Sequence, residues 1–104
     1  MTNNVQDSTD SQREIQAARE SINDIDHSLV DLLKERFKTS ARIGQIKADS
    51  QMPVLDASRE QQVLDSVGQL DPDPDTRQYL QNIFREILKN SRDYQQELMQ
   101  KENK

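Results

Sequence analysis

The stretch from Ile15 to Ile46, IQAARESINDIDHSLVDLLKERFKTSARIGQI, decides the fold of this chain. It contains no proline, and its apolar residues recur at alternating steps of three and four, the heptad pattern of a helix that packs against another helix. The main stripe consists of Ile15, Ala18, Ile22, Ile25, Leu29, Leu32, Ile43 and Ile46. A second stripe, which widens the apolar face, consists of Val30, Leu33, Phe37 and Ala41.

These stripes predict one long helix. The segment Ser11-Gln-Arg-Glu14 has the spacing of a capping box, which predicts the helix start. Pro53 excludes the helical conformation for the residue before it, so the helix should end near Asp49. A helix of roughly 35 residues would be about 50 Å long. We expect residues 1–10 to form a flexible polar tail and residues 11–104 to form one domain.

Two shorter helices are expected to follow. The second is predicted from about Asp56 to about Leu70. After an acidic loop, Asp73 is a good N-cap and Pro74 a good first residue for a third helix, which should run to about Lys101. The predicted fold class is therefore all-α, with a three-helix protomer of long, short and medium helices.

The apolar stripes of the long helix together form one apolar seam. This seam predicts a second copy of the chain as the partner of the helix. Only 32% of the 104 residues are apolar, and another 32% are charged. This apolar fraction is low for a domain that must form its own hydrophobic core. Such a composition also fits disorder, but the regular stripes favour helices. Because two shorter helices cannot cover the seam, we expect a homodimer.

Composition argues against several classes of function. The chain has no Cys, so we expect neither a disulfide nor a Cys-based metal site, and its one His, His27, cannot form a His cluster. A net charge of −5 argues against nucleic-acid binding. No apolar stretch is long enough for a membrane span, and no leader peptide is visible, so we expect a cytoplasmic protein.

Charged and polar residues interrupt the apolar stripes. Arg36 lies on the main seam, one heptad after Leu29, and Lys47 points nearly the same way three turns later. A guanidinium on a buried seam needs an anionic partner. On the third helix, Ser91 and Gln95 stand where the apolar stripe should continue. Together these positions predict a site for an anionic small molecule.

The start of the second helix adds Asp56, Arg59 and Glu60, which share one helix face. Simpler interpretations exist for each residue. Asp56 could be only an N-cap, Arg59 and Glu60 only surface charges, and Lys47 only a solvated helix end. Arg36 could pair with a carboxylate of a partner helix, and Ser91 and Gln95 could be polar residues tolerated at a frayed edge.

Several motifs resemble the helical, AroQ-type chorismate mutase family. They are Arg19-Glu-Ser-Ile-Asn-Asp-Ile-Asp26, Glu35-Arg36, Ile43-Gly44-Gln-Ile-Lys47 and Pro53-Val-Leu-Asp56-Ala-Ser-Arg59-Glu60. The last of these is the most specific. The resemblance covers about residues 13–100, and the order and spacing of the motifs agree throughout. It implies intertwined long helices in a homodimer with two equivalent sites. It also implies an isomerase that rearranges chorismate to prephenate for phenylalanine and tyrosine biosynthesis, a reaction for which no metal or cofactor is expected.

The resemblance also assigns roles to residues. Arg36, and Arg19 from the other subunit, would bind the two substrate carboxylates, while Lys47 and Gln95 would donate to the ether oxygen. Asp56 and Glu60 would hold the ring hydroxyl region, and Ser91 would support a carboxylate. The expected catalytic residues are Lys47, Gln95, Arg36 and Glu60. Arg19 and Arg36 lie about 100° apart around one helix, which is consistent with a site shared between chains.

Arg92 departs from the family, which often has an aliphatic residue at this position. Its side chain could tune ligand affinity or point away from the site. Two rival functions remain open. An isochorismate-pyruvate lyase shares the fold and the cationic clamp, although the full Asp56-x-x-Arg59-Glu60 run favours the mutase. A non-catalytic helical dimerisation module would explain the seam, but not the polar residues that interrupt it.

Overall fold

The computed structural model describes residues 3–102, with side chains for residues 8–101. The described chain contains three helices and no strand: α1 (Asn3–Asp49), α2 (Ala57–Leu70) and α3 (Arg77–Glu102). The predicted all-α class and the order of long, short and medium helices are therefore confirmed. The chain divides into two units, one ending at Arg36 and the other beginning at Phe37, and each is described by itself.

The start of α1 differs from the prediction. The helix begins at Asn3, so Ser11 lies within it and is not its N-cap. The capping-box spacing is therefore not used at this point, because the preceding residues continue the helix and leave no chain end to cap. The flexibility of residues 1–10 stays a prediction.

The C-terminus of α1 ends in a Schellman motif. Met52 N donates to Lys47 O at 2.7 Å, and Gln51 N donates to Ala48 O at 3.1 Å. Gln51 has a φ of 57°, in the left-handed region that glycine or asparagine usually occupies at this position. The turn satisfies the last carbonyls of α1 and directs the chain through Pro53 and Val54 towards α2.

Helix α2 matches its predicted bounds, whereas α3 starts later than predicted. Asp56 caps α2 by accepting a hydrogen bond from Arg59 N at 3.0 Å. Before α3, residues 74–76 form a turn, in which the Asp73 side chain accepts from Asp75 N at 2.9 Å. Asp73 therefore caps this turn, and the helix proper begins at Arg77. The prediction of Pro74 as the first helical residue was wrong.

The first unit exposes the predicted seam. Every residue from Ser11 to Leu32 is exposed in the single chain. The large apolar residues exposed there are Ile15, Ile22, Ile25, Leu29, Val30 and Leu32. A stripe of this length without cover is unusual for a monomeric protein, since water contacts apolar surface along its whole length.

The second unit has a small core. Val67 of α2 and Leu88 of α3 are its buried hydrophobic residues among the side chains described. The rings of Phe37 and Tyr94 meet edge to face, with centroids 5.7 Å apart and planes at 85°. Such a contact contributes about 0.5–1.5 kcal/mol beyond its buried area and holds the C-terminal part of α1 against α3.

Candidate active site

Ser91 and Gln95 are buried on the inner face of α3. Their exposed fractions are 7% and 8%, comparable with the 8% of Leu88 on the same face. The prediction that polar residues continue the apolar stripe of α3 is therefore confirmed, and the alternative of a frayed, solvated edge is wrong. Burying a polar side chain is unfavourable unless it has a partner, so each of them must be held by neighbouring groups.

The Gln95 amide is held by α1. Its Nε2 donates to the Ser40 carbonyl oxygen at 2.6 Å. The side chain lies over Gly44, where an added Cβ would be 3.0 Å from Gln95 Cγ. Glycine at position 44 thus allows the close approach of α3 to α1. An amide has two N–H donors, so one remains for a ligand.

Lys47 lies one turn beyond Gly44 on α1. Its Nζ donates to the Val54 carbonyl oxygen at 3.0 Å, so the ammonium bridges α1 and the segment that leads to α2. The side chain is half-buried and is not a freely solvated helix end. An ammonium has three N–H donors, which leaves capacity for an anionic ligand beside the Val54 contact.

The residues at the start of α2 divide into two kinds. Asp56 and Arg59 are exposed, and Asp56 acts as the N-cap that its sequence position suggested. Any additional contact of Asp56 with a substrate stays a prediction. Glu60, by contrast, is half-buried and faces α3, where Arg92 Nε lies 2.7 Å from its Oε2.

Arg92 makes a contact with a candidate site residue that the sequence did not reveal. It does not point away from α2, because its guanidinium meets Glu60. Arg92 follows Ser91 and lies off the centre of the inner face of α3. The sequence was therefore compatible with a side chain that points towards the site or away from it. No sequence pattern indicated its contact with Glu60, because the contact joins two helices and depends on how they pack.

Arg19 and Arg36 belong to the first unit, whereas the other candidate residues belong to the second. The Arg19 side chain is exposed and that of Arg36 is half-buried. Their joint action on one ligand stays a prediction.

The second unit also contains an open groove of about 760 Å³ between the C-terminal part of α1 and the end of α3. Its apolar lining includes Ala41, Ile46, Leu98 and Met99. Among the candidate site residues of this unit only Gln95 lines it, whereas Lys47, Glu60 and Ser91 do not. The groove is therefore not the predicted ligand pocket. Ile46, one of its lining residues, is 51% exposed, so the groove adds to the apolar surface of the second unit.

The candidate residues of the second unit supply hydrogen-bond donors and charges. Lys47 of α1 and Gln95 of α3 offer N–H groups, and Glu60 of α2 offers carboxylate oxygens. Such groups can bind and orient a hydroxylated anion and stabilise developing negative charge. Within the described residues, none of the three helices combines the length and apolar character needed to cross a bilayer.

Comparisons with known proteins identify the family of the chain. Residues 18–96 match the family model described as chorismate mutase type II. The chain is also 30% identical, over 79 residues, to a bifunctional chorismate mutase/prephenate dehydratase from Aquifex aeolicus (strain VF5). That match covers 72% of this chain and 22% of the relative, so the chain spans about a fifth of that protein's length. No solved structure matches significantly. The chain belongs to the type II chorismate mutase family, a family of isomerases.

Proposed function

We propose that this chain catalyses the pericyclic rearrangement of chorismate to prephenate. The observation that supports this most strongly is the family match over residues 18–96, which includes all seven candidate site residues. The buried polar face of α3 adds support, because Ser91 and Gln95 place a hydroxyl and an amide where a purely apolar helix contact would have aliphatic side chains.

The proposed mechanism rests on orientation and charge stabilisation. Arg36, and Arg19 of the partner subunit, bind the two carboxylates of chorismate and hold the substrate in its compact, reactive form. As the C–O bond breaks, negative charge develops on the ether oxygen. Lys47 Nζ and the Gln95 amide donate hydrogen bonds to this oxygen and stabilise the transition state more than the ground state.

The remaining site residues recognise the substrate. Glu60 and Asp56 hold the ring hydroxyl region, and Ser91 supports a carboxylate. No proton transfer to or from the protein is required, because the rearrangement only redistributes electrons within the substrate. The chain therefore needs no nucleophile, metal or cofactor for this reaction.

The active form in this proposal is an intertwined homodimer. The exposed stripe from Ile15 to Leu32 and the apolar groove beside Ile46 are surfaces that a second α1 would cover. The small core of the second unit gives the same indication, since two buried hydrophobic side chains stabilise little on their own. The proposed setting is the cytoplasm, in the biosynthesis of phenylalanine and tyrosine.

The test is to incubate the purified chain separately with chorismate and with isochorismate and to identify the products. We expect prephenate from chorismate. Pyruvate from isochorismate without prephenate from chorismate would show a lyase instead. A chain that neither converts chorismate nor gains thermal stability from a bicyclic transition-state analogue would be a dimerisation module, and the proposal would be wrong.

A further inference from the structure

Arg92 connects α3 to α2 through an ion pair with Glu60. Arg92 Nε lies 2.7 Å from Glu60 Oε2, and the two side chains are 32% and 22% exposed. Both ends are thus largely shielded from solvent. Screening by water and salt is weaker for partly buried charges, so this pair holds its geometry better than a surface pair.

Four further ion pairs are of a different kind. Each joins two residues three or four positions apart on one helix, and each of their side chains is more than half exposed. Lys89 and Asp93, 2.9 Å apart on the same helix as Arg92, are an example. Exposed local pairs contribute little to stability or order. The Glu60–Arg92 pair instead fixes a residue of one helix against a residue of another.

The geometry of the contact leaves part of Glu60 for a ligand. Arg92 approaches Oε2, so Oε1 is the oxygen that a ligand hydroxyl can meet. The Nε atom is buried but makes no well-aligned hydrogen bond, so the contact is a close charge pair whose N–H is not directed at the carboxylate. Catalytic hydrogen bonds are often poorly aligned before the ligand binds and become aligned in the complex.

We propose that Arg92 is a positioning residue that holds the Glu60 carboxylate in the orientation in which Oε1 accepts a hydrogen bond from the ring hydroxyl of the substrate. This inference rests on the proposed function. The hydroxyl takes no part in the bond that breaks, so its contact is equally strong in the ground state and the transition state. Arg92 therefore acts on KM and on the selectivity for hydroxylated substrate, and not on kcat.

A double-mutant cycle tests this. We expect Arg92→Leu to raise KM for chorismate by about tenfold and to leave kcat within about twofold of the wild-type value. The reason is that the substitution removes a charge-assisted contact that is present in both the ground state and the transition state. Arg92→Lys, which keeps the charge, should recover most of the wild-type KM. In a Glu60→Gln background, Arg92→Leu should have no further effect on KM, because the two side chains act as one unit.

Lys89→Leu is the matched control, since it removes the exposed Lys89–Asp93 pair from the same helix and should leave KM and kcat unchanged. Melting temperatures measured for all variants identify unfolded ones. If Arg92→Leu does not fold, Arg92→Gln takes its place, with the same expected rise in KM.

Three results would overturn the inference: an unchanged KM in the folded variant, a fall in kcat at constant KM, or additive effects of the Arg92 and Glu60 substitutions. If the wild-type chain does not convert chorismate, the proposed function fails and this inference fails with it. If the wild type is active but the cycle shows no coupling, only the role of Arg92 is wrong.

Discussion

Gln95 and Gly44 are in close contact across two helices: a Cβ placed on Gly44 would lie 3.0 Å from Gln95 Cγ and 3.3 Å from its Cβ. The absence of a side chain at position 44 lets Gln95 lie flat on α1 and reach the Ser40 carbonyl. The position of the amide that we propose to contact the ether oxygen therefore depends on a residue that has no functional group.

Replacing Gly44 by alanine should separate activity from stability. Alanine favours the helix by about 1 kcal/mol, which offsets the strain of the new contact, so the free energy of unfolding should change by less than about 1 kcal/mol. The displaced Gln95 amide should lower kcat about tenfold, since catalysis is sensitive to displacements below 1 Å. Chorismate turnover and urea unfolding measure the two effects.

The control for this variant is Gly68→Ala in α2. A Cβ there would lie 2.7 Å from Gln81 Nε2, and this Nε2 donates a hydrogen bond to Leu64 O. The substitution would therefore disturb helix packing at a place away from Gln95. It should change stability and leave kcat as it is. Equal losses of kcat in both variants would contradict a specific role for the Gly44–Gln95 contact.

Lys47→Ala should abolish most turnover while the protein remains folded, as a dimer in the proposed assembly. Loss of one donor to a developing oxyanion lowers kcat by about 100- to 1,000-fold. Lys34→Ala, at an exposed lysine of the same helix, is the control and should be fully active. Steady-state kinetics and circular dichroism check the expectation. If Lys47→Ala unfolds the chain, the bond to Val54 O has a structural role in place of a catalytic one.

Gln51→Gly should stabilise the protein. A non-glycine residue in the left-handed region costs about 1–2 kcal/mol, and the extra freedom of glycine in the unfolded chain cancels about 0.5–1 kcal/mol of the gain. The net gain in the free energy of unfolding should be up to roughly 1.5 kcal/mol. Chemical denaturation measures it. A loss of stability would mean that the Gln51 side chain makes a contact worth more than the strain.

Leu29→Glu should convert the proposed dimer into a monomer. Leu29 is 49% exposed in the single chain, so the substitution does not disturb its packing there, but it would place a charge in the seam between two copies. Ser28→Glu, at the neighbouring exposed position outside the stripe, is the control and should remain dimeric. Sedimentation velocity distinguishes the two. A dimeric Leu29→Glu variant would show that the seam is not the interface.

Mixing two inactive variants tests whether Arg19 acts across subunits. Arg19→Ala and Lys47→Ala homodimers should each be nearly inactive. In a mixed dimer, one of the two sites has both residues intact. An equal mixture, unfolded and refolded together, should therefore recover about a quarter of the wild-type activity. No recovery, with mixed dimers confirmed by mass spectrometry, would place Arg19 and Lys47 of one site on the same chain.

The helical order and the polar face of α3 could be predicted because both follow from periodicity. Ser91 and Gln95 stood out since they replace apolar residues at fixed helical intervals, and they are buried. Helix starts were less predictable. Asp73 caps a turn before α3, because the same Asx hydrogen bond serves turns and helices alike. The Glu60–Arg92 contact depends on how α2 and α3 pack, which no local pattern encodes.

The exposed stripe of α1 also bears on how the protein matures. An amphipathic helix without a partner is only marginally stable in water, so on the proposed dimer a new chain completes its fold only when it meets a second one. The yield of active enzyme should then grow with the square of chain concentration while chains are scarce. Cells that make little of it would hold unpaired chains whose apolar stripe is open to chaperones and proteases.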